Sequence, residues 1–347
     1  MIDELVEVSD ADQLVGDPLV SIVMVAFNHA GYIAQAIDGV INQQCDFSFE
    51  LLIGEDFSTD KTREIVLDYQ KKYPSIIRII QSAENVGADA NFKRTVLKSR
   101  GEYVAFCDGD DYWCSPSKLA GQVALIRENP AIGVVHTNWV KSRYEGGEWS
   151  VAWSRSAHRR MSIELLQGNL FHLFYFPKIL RSCTLLLRRV DLLGYMNSQL
   201  GKKKYKFGDT VLAAYVTSQS EVSYLNEITA VYRVSPNSAL RSGVQAKLDF
   251  LKSCLQFDTD ARQIFSQRDD YPLGFRWEAS VGLFLWAFRS ARPDVARFVM
   301  SDIREHFGAL DFVRYGVWSL RIRLPSLCVT SNDLFLRFKL ITKDFKK

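Results

Sequence analysis

No Cys-x-x-Cys pair, no long uninterrupted apolar run and no strong excess of either charge occurs in this sequence, and each absence removes a class of protein. The six cysteines (Cys45, Cys107, Cys114, Cys183, Cys254, Cys328) are scattered. That leaves neither a zinc knuckle nor a thiol-redox motif, and with no signal-peptide pattern ahead of them a reducing cytosol is expected. The longest stretch free of charge, Pro18 to Ile37, is broken by Asn28, His29, Gly31 and Gln35, whereas a membrane span needs about 20 mostly apolar residues. Only 9 Pro and 20 Gly in 347 residues exclude a collagenous or low-complexity chain. With 43 Lys+Arg against 40 Asp+Glu, a net of +3, the chain is too balanced to coat nucleic acid. No period of 20–50 residues repeats, which removes solenoids, and no GxGxxG follows the first apolar run, which removes the dinucleotide fingerprint and with it hydride transfer.

What is present is a globular composition, 47% hydrophobic and 24% charged, in a chain long enough for two domains at roughly 100–200 residues each. The first half alternates short apolar runs with helical patterns, the signature of βαβ units and a mainly parallel sheet. Leu19 to Phe27 reads as a buried strand, and Ile33, Ile37, Val40 and Ile41 then recur at helical spacing. Phe49 to Gly54 is a second strand; Thr59 or Asp60 can cap the helix after it, whose apolar face is Ile65, Val66 and Tyr69. Ile76 to Ile80 and Tyr103 to Cys107 are a third and fourth strand, with Phe92 to Leu97 on a helix between them. The middle is less regular: Ser182 to Leu187 and Ile228 to Val234 read as strands, and a short helix starts near Asp209. From about Gln245 the pattern is helical, with Leu248, Leu251 and Leu255 on one face and Val295, Phe298, Val299, Ile303 and Phe307 on another.

Ligands of open α/β sheets bind beyond the C-terminal strand ends, and three of those ends carry chemistry: Ala26-Phe27-Asn28, Glu55-Asp56 and Asp108-Gly109-Asp110-Asp111. Three carboxylates within four residues after a buried strand repel one another unless a cation neutralises them. Mg²⁺ or Mn²⁺ on one or two carboxylates plus phosphate oxygens is the simplest resolution; a solvated acidic turn near Ser115-Pro116 is the plainer one. Asp56 can accept an N–H from a pyrimidine edge, and Asp60 can reach a ribose or cap a helix. Asn85-Val86-Gly87 is a turn through which backbone can approach a ligand. None of the five His residues has an obvious ligand partner, and His136 reads as a strand-end core residue.

The ordered motifs PLVSIVMVAFNHAGYI, IGEDFSTDKT, ENVGADANF, GEYVAFCDGDDYW and SPSKLAGQ closely resemble the nucleotide-sugar domain of family 2 glycosyltransferases with the GT-A fold. The resemblance covers about residues 18–130, is looser in the middle and is absent from the last hundred residues. It implies an α/β, Rossmann-like, mainly parallel sheet with flanking helices: a GT-A domain over 1–240 (nucleotide-sugar half about 18–130, acceptor half about 131–240) and a helical region over 241–347. It also implies inverting, metal-assisted sugar transfer from a nucleotide-diphosphate donor, UDP-sugar favoured, to a glycan or lipid-linked acceptor. Ala26, Phe27, Asn28, Asp56, Asn85, Asp108, Gly109, Asp110 and Asp111 would then line the nucleotide-sugar site. Asp108 and Asp110 would be the metal pair, with Asp110 the first choice for direct ligation, and Asp111 would orient sugar hydroxyls. Asp209, in Lys206-Phe207-Gly208-Asp209-Thr210, falls where the family carries its general base, although Asp there is also a good N-cap.

One departure is that Tyr232-Arg233-Val234-Ser235 stands where many relatives place a His after Tyr-Arg. Arg233 can pair a phosphate or form a strand-edge salt bridge. Trp113 can contact the acceptor or pack under its loop. The run Lys202, Lys203, Lys204 and Lys206 suits a phosphate-bearing acceptor or simply solvent. From Asp311 to Lys347 eight Lys/Arg stand against three Asp/Glu, interleaved with Phe312, Trp318, Phe335 and Phe338. That mix suits a peripheral position on the cytoplasmic face of the inner membrane or packing against protein. A non-catalytic nucleotide-sugar-binding module and a sugar-phosphate nucleotidyltransferase are the rival functions; the second lacks its Gly-rich phosphate loop after the first strand.

Overall fold

The computed structural model describes residues 6–176, 178–234 and 243–308. Ser235 and the basic, aromatic tail from Asp311 lie outside them. The chain divides into two compact units, one made of Met1–Arg159, Leu166–Lys203 and Gly208–Ser235, the other of Arg160–Leu165, Lys204–Phe207 and Pro236–Lys347.

The first unit is α/β. It runs through β1 (Val6–Val8), β2 (Val20–Ala26), α1 (Ile33–Ile41), β3 (Phe49–Glu55), α2 (Thr62–Lys72), β4 (Ile77–Gln81), α3 (Ala88–Leu97) and β5 (Tyr103–Phe106). β2 pairs in parallel with both β3 and β5, and β3 with β4, while β1 closes the edge antiparallel to β4. These strands read as continuous apolar runs because helices cover both faces of a parallel sheet. Val20, Ile22, Met24, Leu51, Ile53 and Ile79 are all buried. α1 buries Ile33, Ala36, Ile37 and Val40, an i, i+3, i+4, i+7 stripe. Each large aliphatic there is worth about 1.5–3 kcal/mol, so Ile37→Asp would break the packing of that helix.

The unit continues with β6 (Tyr112–Trp113), α4 (Lys118–Glu128), β7 (Ile132–Glu145), β8 (Glu148–Val151), β9 (Leu186–Arg188), α5 (Arg189–Asn197), α6 (Gln199–Lys202), α7 (Asp209–Gln219) and β10 (Glu221–Val234). One sheet results, in the order β1-β4-β3-β2-β5-β9-β7-β10-β6, with β8 hairpinned onto β7. β9 is antiparallel to both neighbours and β7 runs parallel to β10. The expected strand Ser182–Leu187 is corrected: residues 182–184 form a single 3₁₀ turn and the strand starts at Leu186. β7 runs on past the strand end expected at His136, an extension that the polar run His136, Thr137 and Asn138 conceals in the sequence. All three are buried and bonded, Thr137 to the Thr229 hydroxyl at 2.6 Å and His136 Nε2 to the Leu166 carbonyl at 2.6 Å. His136 therefore lies inside a strand, not at its end.

The second unit holds α8 (Val244–Ile264), α9 (Leu273–Arg289) and α10 (Pro293–His306). Leu248, Leu251 and Leu255 are buried, as are Val295, Val299, Ile303 and Phe307, but Phe298 is 56% exposed, so the stripe on α10 is narrower than its sequence suggests. Buried Arg276 on α9 bridges Asp258 of α8 and Asp302 of α10. Tyr205 and Phe207 belong to this unit, with Phe207 edge-on to Phe250 and Phe257 and the Tyr205 hydroxyl 2.8 Å from Asp260 Oδ2. Among the described residues no helix is long and apolar enough to cross a membrane.

Candidate active site

The loops at the C-terminal ends of β2, β3, β4 and β5 bind one another. Asn28, in the left-handed region at φ 56°, accepts the Thr59 N–H at 2.8 Å through Oδ1, while its own N–H donates to the Ser58 hydroxyl at 3.0 Å. Phe27 is exposed beside it, after buried Ala26. Asp60 accepts the N–H groups of Ala30 (3.0 Å) and Thr62 (2.9 Å). It is thus the latch between two loops and a helix start, the capping alternative of the two open in the sequence.

Asp56 is buried with both carboxylate oxygens engaged: Oδ1 accepts Val86 N–H and Oδ2 accepts Gly87 N–H, each at 2.9 Å, and Arg94 lies 3.6 Å away. The Asn85 side chain donates to the Asp56 carbonyl at 3.1 Å. This carboxylate organises the loop after β4, and a base N–H would have to share its remaining lone pairs. Gly87 at φ 85° fills a backbone conformation that a side chain disfavours.

The acidic turn after β5 carries the strongest electrostatics. Asp108 has its carboxyl pushed up to about 7, first by burial, then by Asp110 and Asp209, against the opposing Ser182 hydroxyl (3.4 Å) and Arg181. Asp111 is raised further by burial, Asp110 and Asp108. It accepts the Arg233 N–H at 2.9 Å and so ties β10 to the turn from a buried position instead of facing a ligand. Gly109 is required by close approach: a Cβ there would fall 2.7 Å from Ile33 Cδ1 and 2.8 Å from His29 Nδ1. Among the described residues no three His, Cys, Asp or Glu side chains form a metal cage. Two mutually repelling carboxylates, Asp108 and Asp110, nevertheless fit a Mg²⁺ or Mn²⁺ that takes its other ligands from phosphate and water.

Asp209 opens α7. Its Oδ1 accepts the Thr210 N–H at 2.8 Å, its Oδ2 lies 4.0 Å from Arg181 Nη1, and its side chain is 36% exposed. The Ser182 hydroxyl bonds Asp108 at 3.4 Å and the adjoining Arg181 lies 4.0 Å from Asp209, so one short segment lies against both the acidic turn and the start of α7. Arg233 is buried, donating to the Asp110 carbonyl (3.0 Å) and to Gln35 Oε1, with its guanidinium over Tyr112 (4.6 Å) and Tyr32 (5.2 Å). Those neutral partners replace the strand-edge salt bridge. Trp113 is brought elsewhere: it is buried in the core, donates from Nε1 to the Cys183 carbonyl at 2.9 Å, and has Lys118 Nζ over its ring. No face of it is open to an acceptor.

Sequence reading passed over His29, Arg181 and Ser182. His29 is an unremarkable loop residue until the fold packs it against Gly109, where its buried Nδ1 has no hydrogen-bond partner among the described residues. Arg181-Ser182 precede a short strand, and the only signal was a cation among apolar residues.

Residues 21–186 match the family model described as Glycosyl transferase family 2. One curated relative is an uncharacterized protein of Mycobacterium tuberculosis (strain ATCC 25618 / H37Rv), 38% identical over 152 residues, 44% of this chain and 44% of the relative. Another is an uncharacterized glycosyltransferase of Nostoc sp., 33% identical over 117 residues, 34% of this chain and 35% of the relative. The chain thus spans less than half the length of these relatives. Among solved structures, the mannosyltransferase PcManGT from Pyrobaculum calidifontis in complex with GDP-Man and Mn²⁺ aligns with a TM-score of 0.54 at 17% identity, over 91% of this chain and 84% of that one. At that identity the likeness is one of fold.

Proposed function

The chain carries a family 2 glycosyltransferase domain of the GT-A fold across residues 21–186, and from that premise we propose that it moves a sugar from a nucleoside-diphosphate donor, UDP-sugar favoured, to a hydroxyl of a glycan or lipid-linked acceptor, with inversion. The observation that carries this reading is that one short segment touches both acids: the Ser182 hydroxyl donates to Asp108 Oδ2 at 3.4 Å and the adjoining Arg181 lies 4.0 Å from Asp209 Oδ2. Donor-side carboxylates and a separate acid facing them are what single displacement needs. An isolated acidic turn, or a binding module with no base, has no use for the second.

In this reading Asp209 Oδ2, which accepts no hydrogen bond among the described residues, takes the proton of the acceptor hydroxyl. The acceptor oxygen then bonds to the anomeric carbon as the bond from that carbon to the diphosphate oxygen breaks on the opposite face. The Thr210 N–H holds Oδ1, so the carboxylate meets the acceptor in one orientation. Asp108 and Asp110 would hold Mg²⁺ or Mn²⁺, which when bound would supply Lewis acidity toward the departing diphosphate. Arg233, fixed by Gln35, the Asp110 carbonyl and two tyrosine rings, adds a preorganised cation beside that turn. Phe27 and Asn28 flank the base above the loop that Asp56 and Asn85 organise. A peripheral membrane location through the tail is part of the same proposal.

The test is thermal unfolding of the protein with UDP-, dTDP- and GDP-sugars, each with Mn²⁺ and with EDTA, since a ligand of the native state alone raises its apparent stability. A metal-dependent rise with one nucleotide class is expected. No rise with any nucleotide would overturn the donor assignment.

A further inference from the structure

We propose that Arg181 is the seat of an oxoanion on the acceptor, so that the acceptor carries a phosphate or carboxylate close to the hydroxyl that reacts; the inference rests on the reading of Asp209 as the base. The buried arginines Arg78, Arg94, Arg233 and Arg276 all donate hydrogen bonds to protein oxygens. Arg181 differs. Its side chain is only 16% exposed and its Nε is buried without a partner, as is that of Arg276, but unlike the other four it donates no side-chain hydrogen bond at all among the described residues. The nearest carboxylate oxygen, Asp209 Oδ2, is 4.0 Å from Nη1, beyond hydrogen-bond reach.

This guanidinium is nevertheless held in place. It lies over the rings of Tyr232 (4.4 Å) and Trp139 (5.0 Å), and Trp139 is itself fixed by its Nε1 bond to the Lys178 carbonyl at 3.0 Å. The Arg181 carbonyl accepts both the Thr184 N–H (2.8 Å) and the Thr184 hydroxyl (2.7 Å). These ring contacts hold the guanidinium without using a single N–H. A group that is always charged, desolvated and oriented but unbonded is costly to keep, and its fork matches the oxygens of a carboxylate or phosphate.

The side of the site follows from the displacement geometry. The base and the leaving diphosphate lie on opposite faces of the transferred sugar, so a cation next to the base stands with the acceptor. In this reading the donor's phosphates lie on the other face, beside Arg233, and Arg181 meets the acidic turn only through Ser182, whose hydroxyl donates to Asp108 Oδ2 at 3.4 Å. Arg181 therefore reads an anion that the acceptor brings.

The test titrates inorganic phosphate, acetate and methyl β-glucoside into the full-length protein, alone and saturated with UDP and Mn²⁺. It compares the parent chain with Arg181→Gln and Arg181→Lys, with a melting curve confirming that each is folded. Phosphate or acetate is expected to bind the parent chain, the tighter of the two naming the source of the anion. Arg181→Gln should weaken it by roughly tenfold or more, Arg181→Lys by less, with UDP affinity preserved. Unchanged anion binding in folded Arg181→Gln would overturn the proposal, as would a parallel loss of UDP affinity, which would move Arg181 to the donor side. Failure of the parent chain to bind UDP counts against the donor site itself, and the nucleotide-free phosphate titration then decides the anion seat alone.

Discussion

β2 to β5 and β7 to β10 belong to one sheet, yet they separate structure from chemistry in different ways. In β2–β5 the polar residues keep to the ends of the strands. At the N-terminal ends Ser21, Glu50 and Arg78 bond one another and Arg100, which is structural. At the other ends stand Asn28, Asp56 and Asp108, which line the candidate site. In β7 and β10 polar residues lie in the middle: His136, Thr137 and Thr229 are buried between layers and bonded there. One region confines its polar groups to its rims, whereas the other builds its core with them. The first can therefore change its loops without touching its core. In the second, a change to the buried polar residues is also a change in stability.

The largest expected effect would break this comparison at the acceptor side. Asp209→Asn should leave donor binding in place and lower turnover by about 10²–10⁴-fold, because the amide oxygen can still accept the Thr210 N–H but takes no proton. Full turnover in that variant would refute the base assignment. On the donor side Asp110→Ala should remove the metal-dependent part of nucleotide-sugar binding while the melting temperature without ligand changes little, since Asp110 is only half-buried at a loop. Unchanged donor affinity with Mn²⁺ would sink the metal assignment.

The same contrast explains what was legible in the sequence. The strands from Val20 to Phe106 were readable to within a residue or two, and α3 to within its first turn, because continuous apolar runs alternated with helical stripes, and their chemistry lay at the breaks. The positions of Asp108, Asp110 and Asp209 followed from motif order. What stayed hidden was set by partners distant in the chain. Nothing local marks Trp113 as core and Arg233 as bonded to the Asp110 carbonyl, since both depend on β10 arriving beside the acidic turn. The run of β7 past His136 was hidden because a buried hydroxyl such as that of Thr137 looks exposed until its partner, Thr229, is known.

Acid should sharpen the comparison. Burial holds His136 down to about 3 and His158 down to about 4, against an ordinary value near 6.5. Both stay neutral in the fold, donating from Nε2 to the Leu166 and Lys178 carbonyls while His158 Nδ1 faces the Tyr224 hydroxyl at 3.3 Å. Between about pH 6.5 and 4 the unfolded chain therefore binds more protons at these two histidines than the native one, a contribution that lowers stability as pH falls, while the raised carboxyls of Asp108 and Asp111 contribute with the opposite sign. Urea titrations across that window should show His158→Gln losing less stability with falling pH than the parent chain. An unchanged slope would place the acid sensitivity elsewhere.

The smallest effect separates the polar core most directly. Thr137 and Thr229 share one hydroxyl–hydroxyl contact across β7 and β10. Thr137→Val alone leaves the Thr229 hydroxyl buried without that partner and should cost about 1–3 kcal/mol, whereas Thr137→Val with Thr229→Val replaces both partners by apolar groups of similar shape and should come back close to the parent stability. If the pair were only filling space, the two single changes would each be mild and would add. Recovery in the double variant, read from urea midpoints at constant slope, would mean that β7 and β10 need matched side chains at this position and not polar ones. The polar middle of these strands would then be replaceable as pairs, leaving Arg181 and Asp209 as the polar groups of this region whose loss no apolar partner can offset.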